Sequence, residues 1–276
     1  MPEPLARTFP HGVTSWVDVE LPDVDAGIAF YSALFGWTFA AATPPDAPIR
    51  YVIAQLGGRD VAAIGGPSGG PARWNTYMAV DDADDAAARF VAAGATLVSG
   101  PLDAGPGGRT ATLLDPEGAA FRLWQARRRL GVQVANEPGA WNFSHLHAAD
   151  PAAARDFDGP VLGWTFGDSG FAGSVSVPGY GDHLEATVDP DIRTRQAQAP
   201  DGFADVVAAF VPLAEGETPH WQVIFSVADR DASAAAVESL GGAVVSTADD
   251  QWVRTAVVRD PQGAELVVSQ FAPQDW

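Results

Sequence analysis

Asp23–Phe39 reads DVDAGIAFYSALFGWTF, and Asp150–Phe166 reads DPAAARDFDGPVLGWTF. Phe30, Gly36, Trp37, Thr38 and Phe39 of the first stretch recur as Phe157, Gly163, Trp164, Thr165 and Phe166 of the second, at a constant offset of 127 residues. The chain therefore repeats itself, and a repeat constrains the fold before any single motif does. Further on, Val80-Asp81-Asp82-Ala83-Asp84 aligns with Val227-Ala228-Asp229-Arg230-Asp231 at an offset of 147, and Asp115-Pro116-Glu117-Gly118 aligns with Asp260-Pro261-Gln262-Gly263 at an offset of 145. The step from 127 to 147 requires an insertion of 20 residues in the second copy, within residues 167–219, a stretch rich in Gly, Pro and Asp. This gives a first module over residues 1–124, a linker over 125–139 that holds three consecutive arginines, and a second module over 140–276.

Within the first copy, Ser15–Leu21 alternates apolar and polar residues at the strand period. Asp23 is a good N-cap, Ile28, Tyr31, Leu34 and Phe35 recur at helical spacing, and Gly36 stops the helix. Trp37–Ala40 begins a second strand and Trp74–Val80 forms another. Asp82–Ala93 forms a second helix closed by Gly94. Arg109–Leu114 and Ala120–Trp124 are strands joined by Asp115-Pro116-Glu117-Gly118, whose Pro and Gly fit a type I turn. The pattern predicts an α+β fold of tandem βαβββ modules, each a mixed sheet with helices on one face. The glycine pairs Gly57-Gly58, Gly65-Gly66 and Gly69-Gly70, and Gly105–Gly108, match no phosphate-binding loop and read as loops.

These blocks resemble the vicinal oxygen chelate superfamily, the glyoxalase, bleomycin-resistance and extradiol-dioxygenase group. The residues that carry the resemblance are the strand ending at Pro22-Asp23, the helix ending Phe30-Tyr31…Phe35-Gly36-Trp37, the Val80-Asp81-Asp82 step and the Asp115–Gly118 turn. The second copy repeats nearly all of them, with Asp158 in place of Tyr31, so the resemblance spans about residues 12–272 and is closest to two-module glyoxalase-like proteins of actinobacterial type. It implies that paired modules enclose a cleft between their sheets, with the helices outside.

Composition narrows the function. The 276 residues are 47% hydrophobic and 10% aromatic, too apolar for a disordered chain. Lys plus Arg is 16 and Asp plus Glu is 35, a net charge of -19, which argues against nucleic acid or an anionic membrane as partner. The absence of Cys excludes disulfides and thiolate chemistry. No apolar run approaches a membrane span, and residues 1–12 lack a signal-peptide core, so a soluble cytoplasmic protein is expected, either monomer or homodimer.

Strand parity separates two faces. In the first copy Val17, Val19, Leu21, Met78, Val80, Phe121 and Leu123 form the apolar face that belongs under the helices. The opposite face carries Trp16, Asp18, Glu20, Asn75, Tyr77, Arg122 and Trp124. In the second copy Leu146, Val223, Phe225, Val227, Leu266 and Val268 are the buried set, and Phe143, His145, His147, Gln222 and Glu265 lie on the open face. Aromatic and polar groups on one wall suit a small organic ligand, either flat and conjugated or cationic.

The resemblance also implies where a metal would bind. The ligand positions it points to are Trp16, Asn75 and Arg122 in the first copy and Phe143, Gln222 and Val267 in the second. Trp, Phe and Val cannot ligate a hard or borderline cation and Arg repels one, so no inherited metal site and no cofactor are expected. One alternative set stays open: His145 and His147 share a side of their strand and with Glu265 could hold one iron, manganese, nickel or zinc ion for a dioxygenase, lyase or isomerase. A metal-free enzyme would use His145 or His147 as general base and Arg122 as an oxyanion stabiliser. The favoured reading is a metal-free binding protein for a small organic molecule, in natural-product handling, resistance or biosynthesis. His11, His183 and His220 show no partner pattern.

Overall fold

Four aspartates start the long helices as the sequence suggests. Asp23 accepts from the Ala26 amide at 3.0 Å, Asp82 from those of Asp84 and Asp85 at 2.9 Å, Asp150 from Ala152 at 3.0 Å, and Asp229 from Ala232 at 2.9 Å. Gly36 and Gly163 end their helices in the left-handed conformation, at φ of 72° and 70°.

These starts and stops organise a computed structural model that describes residues 6–167 and 173–273. The first copy runs β1 (Thr14–Glu20), α1 (Val24–Phe35), β2 (Thr38–Ala41), β3 (Arg50–Leu56), β4 (Arg59–Gly66), β5 (Arg73–Ala79), α2 (Ala83–Ala92), β6 (Thr96–Ala104), β7 (Gly108–Leu114) and β8 (Ala120–Ala126). The second runs β9 (Trp141–Ala148), α3 (Pro151–Leu162), β10 (Thr165–Gly167), β11 (Ser174–Ser176), α4 (Tyr180–Ala186), α5 (Ile192–Arg195), β12 (Val206–Pro212), β13 (His220–Ser226), α6 (Arg230–Ser239), β14 (Ala243–Asp249), β15 (Val253–Arg259) and β16 (Glu265–Phe271).

Two eight-stranded sheets result, ordered β2-β3-β4-β1-β5-β8-β7-β6 and β10-β11-β12-β9-β13-β16-β15-β14, the same topology twice. Each copy contains the βαβββ order two times over, first β1-α1-β2-β3-β4 and then β5-α2-β6-β7-β8. β1 runs parallel to β4 and β5 to β8, while β2–β3, β3–β4, β6–β7 and β7–β8 are antiparallel, so the sheet is mixed and the α+β expectation holds.

The glycine reading needs one correction. Gly57-Gly58 is the two-residue hairpin turn between β3 and β4, with φ of 58° and 78° that suit a type I′ turn. Gly65-Gly66, expected in a loop, lies inside β4. A Cβ on Gly66 would sit 2.3 Å from the Leu21 carbonyl oxygen, so close approach to the chain after β1 requires glycine there. In the second copy the short turn is replaced by residues 177–205, which carry α4, α5 and a 3-10 turn at Phe203–Asp205 and supply the insertion. Asp205 closes this excursion: its carboxylate accepts from the Gly181 amide at 2.7 Å and its carbonyl from the Val177 amide at 2.9 Å. Residues 168–172, also within the insertion window, lie outside the described residues.

All thirteen residues assigned to the apolar faces are buried. The chain forms two compact units, each assembled from both copies. The first unit takes the chain up to Ser15, Thr76–Gly131 and Ser144–Trp221. The second takes Trp16–Asn75, Val132–Phe143 and the chain from Gln222 on. Phe90 of α2 anchors the first, with ring centroids 4.9 Å from Phe121 and 5.3 Å from Phe157. The second is centred on Phe225, 5.0 Å from Trp74, 5.1 Å from Phe35 and 5.4 Å from Trp37. The repeated Trp37 and Trp164 are both core residues, each donating its indole N–H at 2.7 Å to a glycine carbonyl, Gly139 and Gly12 respectively. No described helix is long and apolar enough to cross a membrane.

Candidate functional site

In the second unit, β1 presents Trp16, Asp18 and Glu20 on one face. The Asp18 carboxylate is 1% exposed and accepts from Tyr51 Oη at 2.9 Å and from Asn75 Nδ2 at 2.8 Å. Tyr51 in turn accepts from the Trp16 indole N–H at 3.0 Å. Burial of a carboxylate is costly without such donors, so the chain Trp16–Tyr51–Asp18–Asn75 is held rigidly. Tyr51 reaches Asp18 across β4 because Gly65 stands opposite it, and a Cβ there would meet the Tyr51 ring at 3.2 Å. Glu20 pairs with Arg73 at 3.2 Å, and Glu265 on β16 pairs with Arg259. Phe143 and Gln222 of the same unit are half-buried, and the Phe143 carbonyl accepts from Trp141 Nε1 at 2.8 Å.

The first unit holds Tyr77, Arg122, Trp124, His145 and His147. Tyr77 and Arg122 are register partners on β5 and β8, and Arg122 Nη1 donates to Tyr77 Oη at 2.7 Å. Trp124 stands edge-on to Tyr77 with centroids 6.3 Å apart and donates to the Arg129 carbonyl at 2.9 Å. On β9, loss of hydration pushes the His145 imidazole down to about 4, with the neighbouring His147 adding to the shift, so the ring is neutral at physiological pH.

His147 gains two companions that the sequence did not suggest. Its Nδ1 lies 3.1 Å from Glu217 Oε2, and its ring stacks on His220 with centroids 4.7 Å apart. One donor atom from each of His147, Glu217 and His220 lies within 4.8 Å of the others. Glu265, the carboxylate expected beside His145 and His147, belongs to the second unit and these histidines to the first. The repeat itself carried a signal: at offsets of 127 and 147, His147 and His220 are the counterparts of Glu20 and Arg73, which form an ion pair. The other two unassigned histidines are structural. His11 bonds the Val161 carbonyl at 2.9 Å, and His183 bonds Thr8 Oγ1 at 3.0 Å. A pocket of about 220 Å³ in the first unit, lined by Phe166, Pro178 and Asp205 among others, contains none of the expected site residues.

The positions at which the resemblance would place a metal carry groups that do not fit one. Trp16 and Asn75 turn N–H donors inward, and Arg122 presents a cation to Tyr77. Phe143 and Val267 have no donor atom, leaving Gln222 as the sole oxygen ligand of its set.

Comparison with known proteins agrees with the architecture. A model of the glyoxalase-like domain matches residues 16–124 and 144–269. A Mycobacterium tuberculosis protein named "Putative glyoxylase CFP32" is 34% identical over 278 residues, covering 98% of this chain and 99% of that protein. The anthracycline biosynthesis protein DnrV of Streptomyces peucetius is 34% identical over 280 residues, covering 95% of this chain and 94% of its own. The crystal structure of the 2,3-dioxygenase LapB from Pseudomonas sp. KL28 shares the fold, with a TM-score of 0.60 at 13% identity over 98% of both chains. With a duplicated βαβββ order, a domain match in each copy and relatives aligned along nearly the whole length, the chain belongs to the glyoxalase-like family of the vicinal oxygen chelate superfamily.

Proposed function

We propose that the protein binds a flat, conjugated organic molecule by ring stacking against a preorganised polar wall, without a metal at the family's ligand positions. The observation that carries this reading is the bonded set Trp16–Tyr51–Asp18–Asn75, which fills two of those positions with N–H donors and orders them around a buried carboxylate. Phe143, Gln222 and Glu265, which belong to the same unit as that set, complete the proposed ligand-facing set. Glu20 and Glu265 are neutralised by Arg73 and Arg259, which favours the flat aromatic ligand over a cationic one. Similarity to a protein named for anthracycline biosynthesis supports a polyketide-type aromatic, and with it a role in natural-product handling.

The test is a tryptophan-quenching titration of the full chain with 1,8-dihydroxyanthraquinone as probe. A stacked ring adds about 0.5–1.5 kcal/mol, so Trp16→Ala should weaken binding roughly 2- to 12-fold. Saturable binding with that loss supports the reading. No binding by the unaltered chain, or unchanged affinity in Trp16→Ala, overturns it.

A further inference from the structure

We propose that His147, Glu217 and His220 form a binding site for one borderline divalent cation of the zinc and nickel class, away from the family's ligand positions. His147 lies four residues along β9 from Phe143, and His220 two residues before Gln222 on β13, so the site uses different residues from the set the family would use.

The site is built from the loop upward. Ala214–Glu217 is a turn closed by the Glu217 amide on the Ala214 carbonyl at 3.1 Å, with Gly216 at φ of 84° supplying the left-handed residue. The turn aims the Glu217 side chain back onto its own start, where the Ala214 amide donates to Oε2 at 2.8 Å. That contact and the one from His147 fix the carboxylate before any ion arrives.

The imidazoles are arranged in the same sense. His220 Nδ1 lies 2.9 Å from the Thr218 carbonyl, which can only accept. Nδ1 therefore donates to that carbonyl and Nε2 is the nitrogen that would ligate, the arrangement in which a backbone carbonyl orients a metal-ligating histidine. His147 and His220 stack with ring centroids 4.7 Å apart, which holds the two imidazoles side by side. Two imidazoles and one carboxylate match zinc or nickel, and ligands at about 2.0–2.2 Å from such an ion lie roughly 3–3.5 Å from one another, close to the 3.1 Å between His147 Nδ1 and Glu217 Oε2. The side chains of His147 and Glu217 are 12% and 31% exposed, sheltered yet open to an ion from solvent. Where the first copy balances Glu20 with Arg73, the second has two imidazoles and a carboxylate, a set that a divalent cation would complete.

The experiment uses untagged full-length protein, stripped with EDTA and desalted, then titrated calorimetrically with zinc chloride and separately with nickel chloride. The expected result is about one equivalent bound, with a zinc-dependent rise in melting temperature, at least tenfold weaker binding in both Glu217→Gln and His220→Ala, and unchanged binding in His183→Ala. His147→Gln serves if either variant fails to fold, as judged by circular dichroism. Absence of saturable uptake by the unaltered protein, retention of full affinity in the site variants, or an equal loss in His183→Ala would overturn the proposal. None of these readouts involves the anthraquinone, so this site and the aromatic-ligand reading stand or fall separately.

Discussion

Gln262, in the turn before β16, clasps Asp23 at the start of α1 with two hydrogen bonds of 2.8 Å, one accepted from the Asp23 amide and one donated to its carbonyl. Glu117, its counterpart in the repeat, accepts from the amides of Ala149 and Asp150 at 2.6 and 2.8 Å ahead of α3. In each unit the turn of one copy thus braces the helix entry of the other. Gln262→Ala should cost about 1–3 kcal/mol, since two net hydrogen bonds are lost. Urea denaturation would show it as a lower midpoint, and an unchanged midpoint would mean that water replaces the amide.

Tyr31 offers a second long-range link. Its hydroxyl donates to Asp260 Oδ2 at 2.9 Å, and both residues are buried. Tyr31→Phe keeps the stacking on Trp37 but leaves a buried carboxylate oxygen short of a donor. A loss of roughly 1–3 kcal/mol is expected, again by denaturation.

The second copy places Asp158 where the first has Tyr31. This carboxyl is 4% exposed; burial first and the nearby Asp115 charge second push it well above its ordinary value. The folded state therefore holds a proton that the unfolded chain releases near pH 4. Stability from this group is complete below that pH and declines as pH rises toward the folded value, at up to about 1.4 kcal/mol per pH unit. Asp158→Asn should abolish this decline. Parallel stability curves for the two proteins between pH 4 and 7 would contradict the assignment.

Gly66→Ala should destabilise the fold by more than about 1 kcal/mol, because the new methyl meets backbone rather than a flexible side chain. Gly69→Ala, with nothing within 4 Å of the added carbon, is the matched control and should stay within about 0.5 kcal/mol of the parent. Thermal melting of the pair checks both.

Legibility in the sequence followed the range of the cause. The helix starts are decided by a side chain and amides two or three residues away, so the cap at Asp23 is legible directly and the repeat carries it to Asp150. The buried faces of β1, β5 and β8 follow from alternation and were equally plain. Gly65-Gly66 misled because its reason, the approach of Leu21 and Tyr51, comes from neighbouring strands. Tyr51 passed unnoticed for the same cause, since its bond to Asp18 exists only because the residue opposite lacks a side chain. His220 and Glu217 belong with His147 through a turn that follows the insertion, where matching motifs give out. Aligning the Glu20–Arg73 pair across the repeat would have exposed the two histidines, though not the glutamate.

The interleaving of the two units has a consequence for synthesis. Ribosomes release the chain from its N-terminus, and folding can keep pace only with contacts already made. The first unit has its last segment once Trp221 has emerged. The second has its longest early segment, Trp16–Asn75, made before most of the first, yet needs β13–β16 before its core around Phe225 can close. During translation Phe35, Trp37 and Trp74 must wait for Phe225 while some 150 further residues are made. The segment Trp16–Asn75 is made early but completed last, and nascent-chain exposure to chaperones should concentrate on residues 16–75.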